Sequence, residues 1–250
     1  MTRFAPYLFA AFFLGLWEAA VRLAGVPAYL VPGPVAIVGA FLADPGLFLS
    51  SLAATLGVTV TALAVSAVLG VTLALAMQAS PLARAAFQPW TVVLQVTPIV
   101  AIAPLVVVWV GDPFASVVIC ATIIAFFPVF SATAAGLAAA PADLLDLFRL
   151  NQAGRWDTLR LLRLPVALPY FLAGLRISGG LALVGTVSAE IVAGSGGVAS
   201  GLAYRILEAG YRLQVPRMFA ALALLSASGV AINAALGALA AALLRRRGEA

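Results

Sequence analysis

The sequence predicts an all-α polytopic membrane protein with about six transmembrane helices and an amphipathic cytoplasmic loop. Of its 250 residues, 64% are hydrophobic and only 9% are charged, whereas about 25% of the residues in an average soluble domain are charged. So few charges cannot cover a water-exposed surface. The same composition excludes a disordered chain, a coiled coil and a disulfide scaffold.

Long apolar runs with few charges define the expected spans, because about 20 apolar residues are needed to cross about 30 Å of hydrocarbon. Glu18 and Arg22 lie four residues apart near the end of the first run, which predicts a local ion pair. A cleavable signal peptide would have small residues here, so these two charged residues argue against a signal peptide. The chain 1–250 is treated as one transmembrane domain. The expected spans are residues 4–23, 52–77, 89–110, 114–136, 170–193 and 218–244.

The distribution of arginine predicts the orientation. With a cytoplasmic amino terminus, nine arginines fall in inside segments and four in outside segments, in agreement with the positive-inside rule. Both termini are therefore expected in the cytoplasm. A short interfacial helix is expected in the proline-containing outside loop 24–50.

The rare residue types limit the chemistry of the chain. All 14 basic residues are arginine, and lysine and histidine are absent. The single cysteine, Cys120, cannot form a disulfide or a thiolate metal site within one chain. The arginines are scattered between apolar runs, which argues against nucleic acid as a partner. No pair of residues has the pattern of a catalytic acid and base.

The cytoplasmic loop 137–169 concentrates charge in a chain that has little of it. Its apolar and charged residues alternate at helical spacing, which predicts short amphipathic helices broken near Gly154. Pro165 and Pro169 are expected to stop the helix before the fifth span begins. One interpretation is a helix lying on lipid headgroups. The other is a docking element that inserts into a groove on a soluble partner.

The loop resembles the cytoplasmic loop of ATP-binding cassette importer permeases. That family's loop has an acidic residue, a turn glycine and a later Leu-Pro pair. The register places Gln152 where the turn glycine is usual, and Gly154 is an alternative source of the turn. The residues assigned to ATPase coupling by this resemblance are Asp143, Asp146, Gln152, Ala153, Gly154, Arg155, Trp156, Leu164 and Pro165.

Further motifs resemble one branch of the family, the nitrate, sulfonate and taurine permeases. Residues 176–194 and 201–210 look most similar to permeases for vitamins and their heterocyclic precursors. The motifs of the branch are Trp17-Glu18, Val31-Pro-Gly-Pro34, residues 95–105, Trp109-Val-Gly111, Phe127-Pro128, Leu168-Pro-Tyr170, Gly174-Leu-Arg176 and Ala189-Glu190.

The resemblance implies a permease subunit of the bacterial inner membrane that takes up a small organic nutrient. It implies a second copy of the chain, ATPase subunits, an extracytoplasmic solute-binding protein and membrane lipid as partners. The chain has no lysine to complete a phosphate-binding loop. ATP and Mg are therefore expected on the partner ATPase, and this chain is expected not to be an enzyme and to hold no metal.

The fifth span has two specialised faces. Small residues from Gly174 to Ala189 form a stripe that predicts close helix packing. The other face is a candidate wall of the solute path, whereas Arg176 is expected to extend to the inner headgroups. Glu190 either lines the path or pairs near the outer interface. The polar groups of Gln95, Thr97 and Ser131 either line the path or repair helices that contain proline. The candidate path residues are Gln95, Thr97, Ser131, Gly180, Leu183, Val187 and Glu190.

Two other classes of membrane protein compete with this interpretation. A lipid-modifying enzyme would carry histidine or acidic clusters at one membrane face, and the nine scattered acids argue against it. A secondary transporter working without an ATPase is the nearer alternative. Such carriers often have inverted repeats, and none is evident here.

Overall fold

Helices form every regular element of the computed structural model, which describes residues 5–193 and 200–245. No strand occurs in these ranges, and the predicted all-α fold is confirmed. In chain order the helices are α1 (Ala5–Leu23), α2 (Pro34–Ala43), α3 (Pro45–Ala79), α4 (Pro81–Val96), α5 (Ile99–Val110), α6 (Pro113–Ala138), α7 (Ala142–Leu150), α8 (Arg155–Thr158), α9 (Leu164–Ala193), α10 (Leu202–Tyr211) and α11 (Val215–Arg245).

The described residues divide into two compact units. The first consists of residues 5–55 and 200–227, and the second of residues 56–193 and 228–245. The first unit contains α1, α2 and α10, and the second contains α4 to α9. Helices α3 and α11 each contribute residues to both units.

Four helical stretches are long and apolar enough to cross a bilayer: α3, α6, the continuous run Arg155–Ala193 and α11. They correspond to the second, fourth, fifth and sixth expected spans. The first span corresponds to the 19-residue α1. The total of six spans stays a prediction. The interfacial helix expected in the outside loop is present as α2.

The third expected span, residues 89–110, is not one helix. Helix α4 begins earlier, at Pro81, and ends at Val96, and α5 starts only at Ile99. Thr97 between them is extended, with ψ 122°. The physical reason is Pro98, because proline disfavours the helical conformation of the residue before it and cannot donate a backbone hydrogen bond.

Pro165 and Pro169 do not stop the helix, so that expectation was wrong. Helix α8 passes through the π-helical turn Leu159–Arg163 directly into α9, which contains both prolines. In this turn the N–H of Leu164 donates to the carbonyl oxygen of Leu159, five residues earlier. The wider turn leaves room for the ring of Pro165, so the helix continues there. Pro169 is accommodated within α9 without such a turn.

Helices α6 and α9 form an extensive pair, and their backbones approach closely. A Cβ added to Gly174 would lie 2.6 Å from the Cβ of Ala132, and one added to Gly185 would lie 2.8 Å from the Cα of Ala121. Ser178, also in the stripe, is fully buried and donates to the carbonyl oxygen of Ala125 at 2.6 Å. The prediction that this stripe is a packing face is confirmed.

Helix α3 joins this pair through buried hydroxyl groups. Ser66 Oγ donates to the carbonyl oxygen of Thr122 on α6 at 3.0 Å, and Thr59 Oγ1 donates to Thr186 Oγ1 on α9 at 3.1 Å. Polar bonds of this kind supplement van der Waals packing between transmembrane helices, where burial of apolar surface gives little preference. The three helices form the core of the second unit.

In the first unit, one carboxylate ties α1 to α2. Glu18 Oε1 accepts from Arg22 Nε at 2.6 Å, which confirms the expected ion pair. Glu18 Oε2 also accepts from the backbone N–H of Val35 at 3.0 Å, in the first turn of α2. An acidic group at this position satisfies a free donor of the helix.

We predict that Gly174→Ala destabilises the protein by about 1–3 kcal/mol, because the new methyl group would overlap α6 and force the helices apart. Gly57→Ala is the matched control, since a Cβ there meets nothing within 4 Å and alanine favours a helix by up to about 1 kcal/mol. Unfolding of the purified protein by sodium dodecyl sulfate, followed by circular dichroism, measures both. Equal stability of the two variants would contradict the close contact.

Candidate functional site

Helix α7 forms the first part of the charged loop. Asp143 lies in its first turn, where a negative charge favours the helix. Asp146 accepts from Arg149 at 2.8 Å, and both side chains are exposed. An exposed pair of this kind adds little stability. The two acids therefore give α7 a charged outer face that is free to meet another surface.

The end of α7 has the hydrogen bonds of a Schellman cap. The N–H of Ala153 donates to the carbonyl oxygen of Phe148 at 2.9 Å, and the N–H of Gln152 donates to that of Arg149 at 2.9 Å. This cap requires a left-handed residue, and glycine is the usual choice. Gln152 takes that conformation with φ 53°, whereas Gly154 has φ −62°. The alternative that Gly154 supplies the turn is wrong.

The second half of the loop begins at Gly154, and the two helices broken near this residue are confirmed. Arg155 and Trp156 lie in the first turn of α8, and the Trp156 side chain is 67% exposed. Leu164 and Pro165 follow the π-helical turn and are part of α9. Arg163 Nη1 donates to the carbonyl oxygen of Leu137 at 3.0 Å, which joins the π turn to the end of α6.

The candidate path residues of the third and fourth spans lie on two helices, with Gln95 and Thr97 at the end of α4 and Ser131 in α6. Gln95 is exposed near the end of α4. Thr97 Oγ1 donates to the carbonyl oxygen of Val93 at 2.6 Å, and Ser131 Oγ donates to that of Pro128 at 3.4 Å. Both hydroxyls thus satisfy carbonyl groups of their own helices beside proline.

The four candidates on α9 follow one line along the helix with different burial. Gly180 and Val187 are half-buried, whereas Leu183 and Glu190 are each 8% exposed. Glu190 has interactions within the protein. The neighbouring line of Ile177, Val184 and Ile191 is more exposed, with Ile177 at 59%.

A charged cavity of about 220 Å³ in the first unit was missed by sequence reasoning. Arg205 donates to Ser51 Oγ at 3.0 Å and to Glu208 at 2.8 Å, and Arg212 pairs with the other oxygen of Glu208 at 2.9 Å. Arg217 pairs with Asp44 at 3.2 Å. Arg205, Glu208 and Arg212 lie three and four residues apart, a spacing that predicts ion pairs along one helix. The pairing of Asp44 with Arg217 could not be predicted from spacing, because the two residues are distant in sequence.

The comparisons with known proteins decide the class of this membrane protein. Residues 66–248 match the family described as binding-protein-dependent transport system inner membrane component. The chain belongs to this family. Its members are permease subunits of ATP-binding cassette importers, and the relatives place this permease in the nitrate, sulfonate and taurine branch, as the motifs predicted.

Two relatives and one solved structure illustrate the similarity. The formylaminopyrimidine transport permease protein of Halalkalibacterium halodurans is 33% identical over 90% of this chain and 88% of its own. The putative aliphatic sulfonates transport permease protein of Bacillus subtilis is 28% identical over 89% and 80%. A crystal structure of an amino acid ABC transporter matches with a TM-score of 0.65 and 19% identity over 82% of this chain and 96% of that one, which shows the fold.

Membership has direct consequences for function. The permease is a multi-pass inner-membrane subunit of an importer, and the family implies an ATPase and a binding protein as partners. Permease subunits of such importers are not themselves enzymes. The alternative of a secondary transporter that works without an ATPase is abandoned.

We predict that Gln152→Gly stabilises the α7 cap by up to about 1 kcal/mol, because glycine relieves the cost of the left-handed backbone. Gln152→Val should weaken the cap, since a branched side chain tolerates this conformation least. Hydrogen exchange of the amides of residues 152 and 153 measures the cap directly. The same exchange in all three proteins would show that the cap does not depend on this conformation.

Proposed function

We propose that the permease imports a small organic nutrient of the vitamin-precursor or sulfonate type. The relatives named for formylaminopyrimidine and for aliphatic sulfonates support this range of solutes. A partner ATPase binds ATP with Mg and hydrolyses it, because this chain lacks a lysine for a phosphate-binding loop. The solute crosses the membrane without chemical change.

Helices α7 and α8 dock into a groove on the ATPase. The observation that carries this proposal is the position of the loop, which joins the close-packed helices α6 and α9 through a tight cap and the Arg163 bond to Leu137. A rigid loop transmits displacement at the ATPase to both helices. Trp156 is the expected anchor, because exposed tryptophans are enriched among residues that dominate binding energy.

Two copies of the chain enclose the solute path. Helices α4 and α5 support this proposal, because Trp90, Val96, Val108 and Trp109 leave large apolar surfaces open in one chain. Some of this surface meets the second copy, and the rest meets membrane lipid. The proposed wall consists of Gln95, Thr97, Ser131, Gly180, Leu183, Val187 and Glu190.

The binding protein docks on the opposite side of the membrane from the ATPase. The charged cavity of the first unit supports this placement, since its arginines and acids lie in segments expected outside. Tyr211 is 87% exposed beside the cavity and offers an apolar contact. Complementary charges on such a surface steer a soluble partner and fix its orientation.

We predict that Trp156→Ala weakens association with the ATPase about 30-fold or more, the equivalent of about 2 kcal/mol for an anchor residue. Leu82→Ala is the matched control, because Leu82 is an exposed apolar residue on the same expected side of the membrane but outside the loop. Co-purification and ATPase-driven uptake in proteoliposomes measure the effect. If Trp156→Ala co-purifies with the ATPase and supports uptake as the unchanged chain does, Trp156 is not a docking anchor.

We predict that a cysteine at Tyr211 reacts with an impermeant thiol reagent added to intact spheroplasts, whereas one at Leu150 does not. Both side chains are exposed, so access to the reagent depends on their side of the membrane. Cys120→Ser removes the native thiol. Labelling at residue 150 from outside would reverse the topology and place both termini outside the cytoplasm.

A further inference from the structure

Arg176 carries a charge on an exposed part of α9, and its guanidinium is held in one orientation. Its Nε donates to Asn233 Oδ1 on α11 at 2.7 Å. The guanidinium lies over Gly237, where an added Cβ would stand 3.7 Å from Cζ and 3.9 Å from Nη2. Among the described residues, the ion pairs do not include Arg176. The two Nη groups therefore have no anion from this part of the chain.

The depth of the pair argues against a lipid headgroup as the anion. Arg176 lies thirteen residues after Arg163, or about 20 Å along the helix, and Asn233 lies twelve residues before Arg245, or about 18 Å. Both reference arginines are on the expected cytoplasmic side. Half of the hydrocarbon core is about 15 Å thick, so the pair lies near the middle of the bilayer. No charged residue lies between Arg163 and Arg176, and α9 begins at Leu164, so the apolar part of this helix begins before residue 170, the expected start of the fifth span. A phosphate at the headgroup level is then beyond the length of an arginine side chain, in contrast to the expectation that Arg176 extends to the inner headgroups.

A lipid-tail environment is also unfavourable for this group. An arginine at the middle of the hydrocarbon costs on the order of 3 kcal/mol, and intramembrane charges usually face a partner or a water-filled path. Only Glu18 and Glu190 are acids inside the expected spans. Glu18 is paired with Arg22, and Glu190 is buried within its own chain. A second copy therefore has no suitable acid to offer.

We propose that Arg176, oriented by Asn233, binds an oxyanionic group of the solute, a carboxylate or a sulfonate, midway across the membrane. With Nε occupied by Asn233, the two Nη groups present a planar fork that suits bidentate binding of such a group. Ala173, Ile177 and Gly180 surround the arginine on α9 and leave an apolar, open surface. Within the proposed range of solutes, one charged group beside an apolar wall favours the sulfonate type over an uncharged vitamin precursor.

This inference rests on the proposed import function, but its test does not require transport. Ile177→Cys in a Cys120→Ser background places a thiol beside Arg176. Its reaction rates are measured in lipid nanodiscs with two reagents of similar size, the anionic methanethiosulfonate ethylsulfonate and the cationic methanethiosulfonate ethyltrimethylammonium. Leu161→Cys, exposed near the expected cytoplasmic end, is the matched control.

The anionic reagent should react faster than the cationic one at residue 177. A unit charge about 6 Å away changes the local concentration of each reagent about threefold even in water, in opposite directions. Arg176→Gln should therefore lower the ratio of the two rates about tenfold. Arg176→Lys should retain most of the preference, and Asn233→Ala should lower it by less than Arg176→Gln. The ratio at Leu161→Cys should not change.

Two results would overturn the proposal. If the thiol at residue 177 reacts with neither reagent, the surface meets lipid or protein instead of the solute path. If the ratio of rates in the Arg176→Gln variant equals the ratio in the chain that retains Arg176, the arginine does not attract anions there. Uptake by the assembled importer is measured separately. A chain that shows the charge preference but supports no uptake would refute the proposed function and leave the anion site intact.

Discussion

The close backbone contact between α6 and α9 is the constraint on which the rest of the second unit depends. Hydrocarbon gives helices little reason to associate, so van der Waals contact and interhelical hydrogen bonds must hold them together. Gly174 and Gly185 permit that contact, and Ser178 adds a hydrogen bond across it. The charged loop is the connection between these two helices. The relative position of the two ends of the loop therefore depends on the fit of small residues between the helices that flank it.

Features that depend on local periodicity were predictable from the sequence. The positions of the apolar helices, the packing stripe of α9 and the Glu18–Arg22 pair all follow from spacing along one helix. The break at Thr97–Pro98 and the continuous helix through Pro165 were not predicted. Both involve proline, whose effect depends on whether the preceding turn can widen. The sequence alone does not show whether a proline ends a helix or is accommodated by a π turn.

Site features that join distant segments were harder to predict. Asp44 and Arg217 meet in the charged cavity although 173 residues separate them, and Asn233 orients an arginine from another helix. Neither pairing has a periodic signal. The conformation of Gln152 was obscured for a different reason, because a glycine two residues later offered an easier explanation of the turn. In each case the deciding information is a tertiary contact or a backbone angle, not a residue type.

The π turn at Leu159–Arg163 sets the angle at which α8 is presented. A π turn holds one more residue than the α-helical turn it replaces, and one residue corresponds to about 100° of rotation around the helix axis. Loss of a single residue here during evolution would leave a regular helix but turn Trp156 to another side of it. If α8 docks on the ATPase as proposed, the face that it presents depends on the number of residues in this segment, and a one-residue deletion changes that face without changing any side chain.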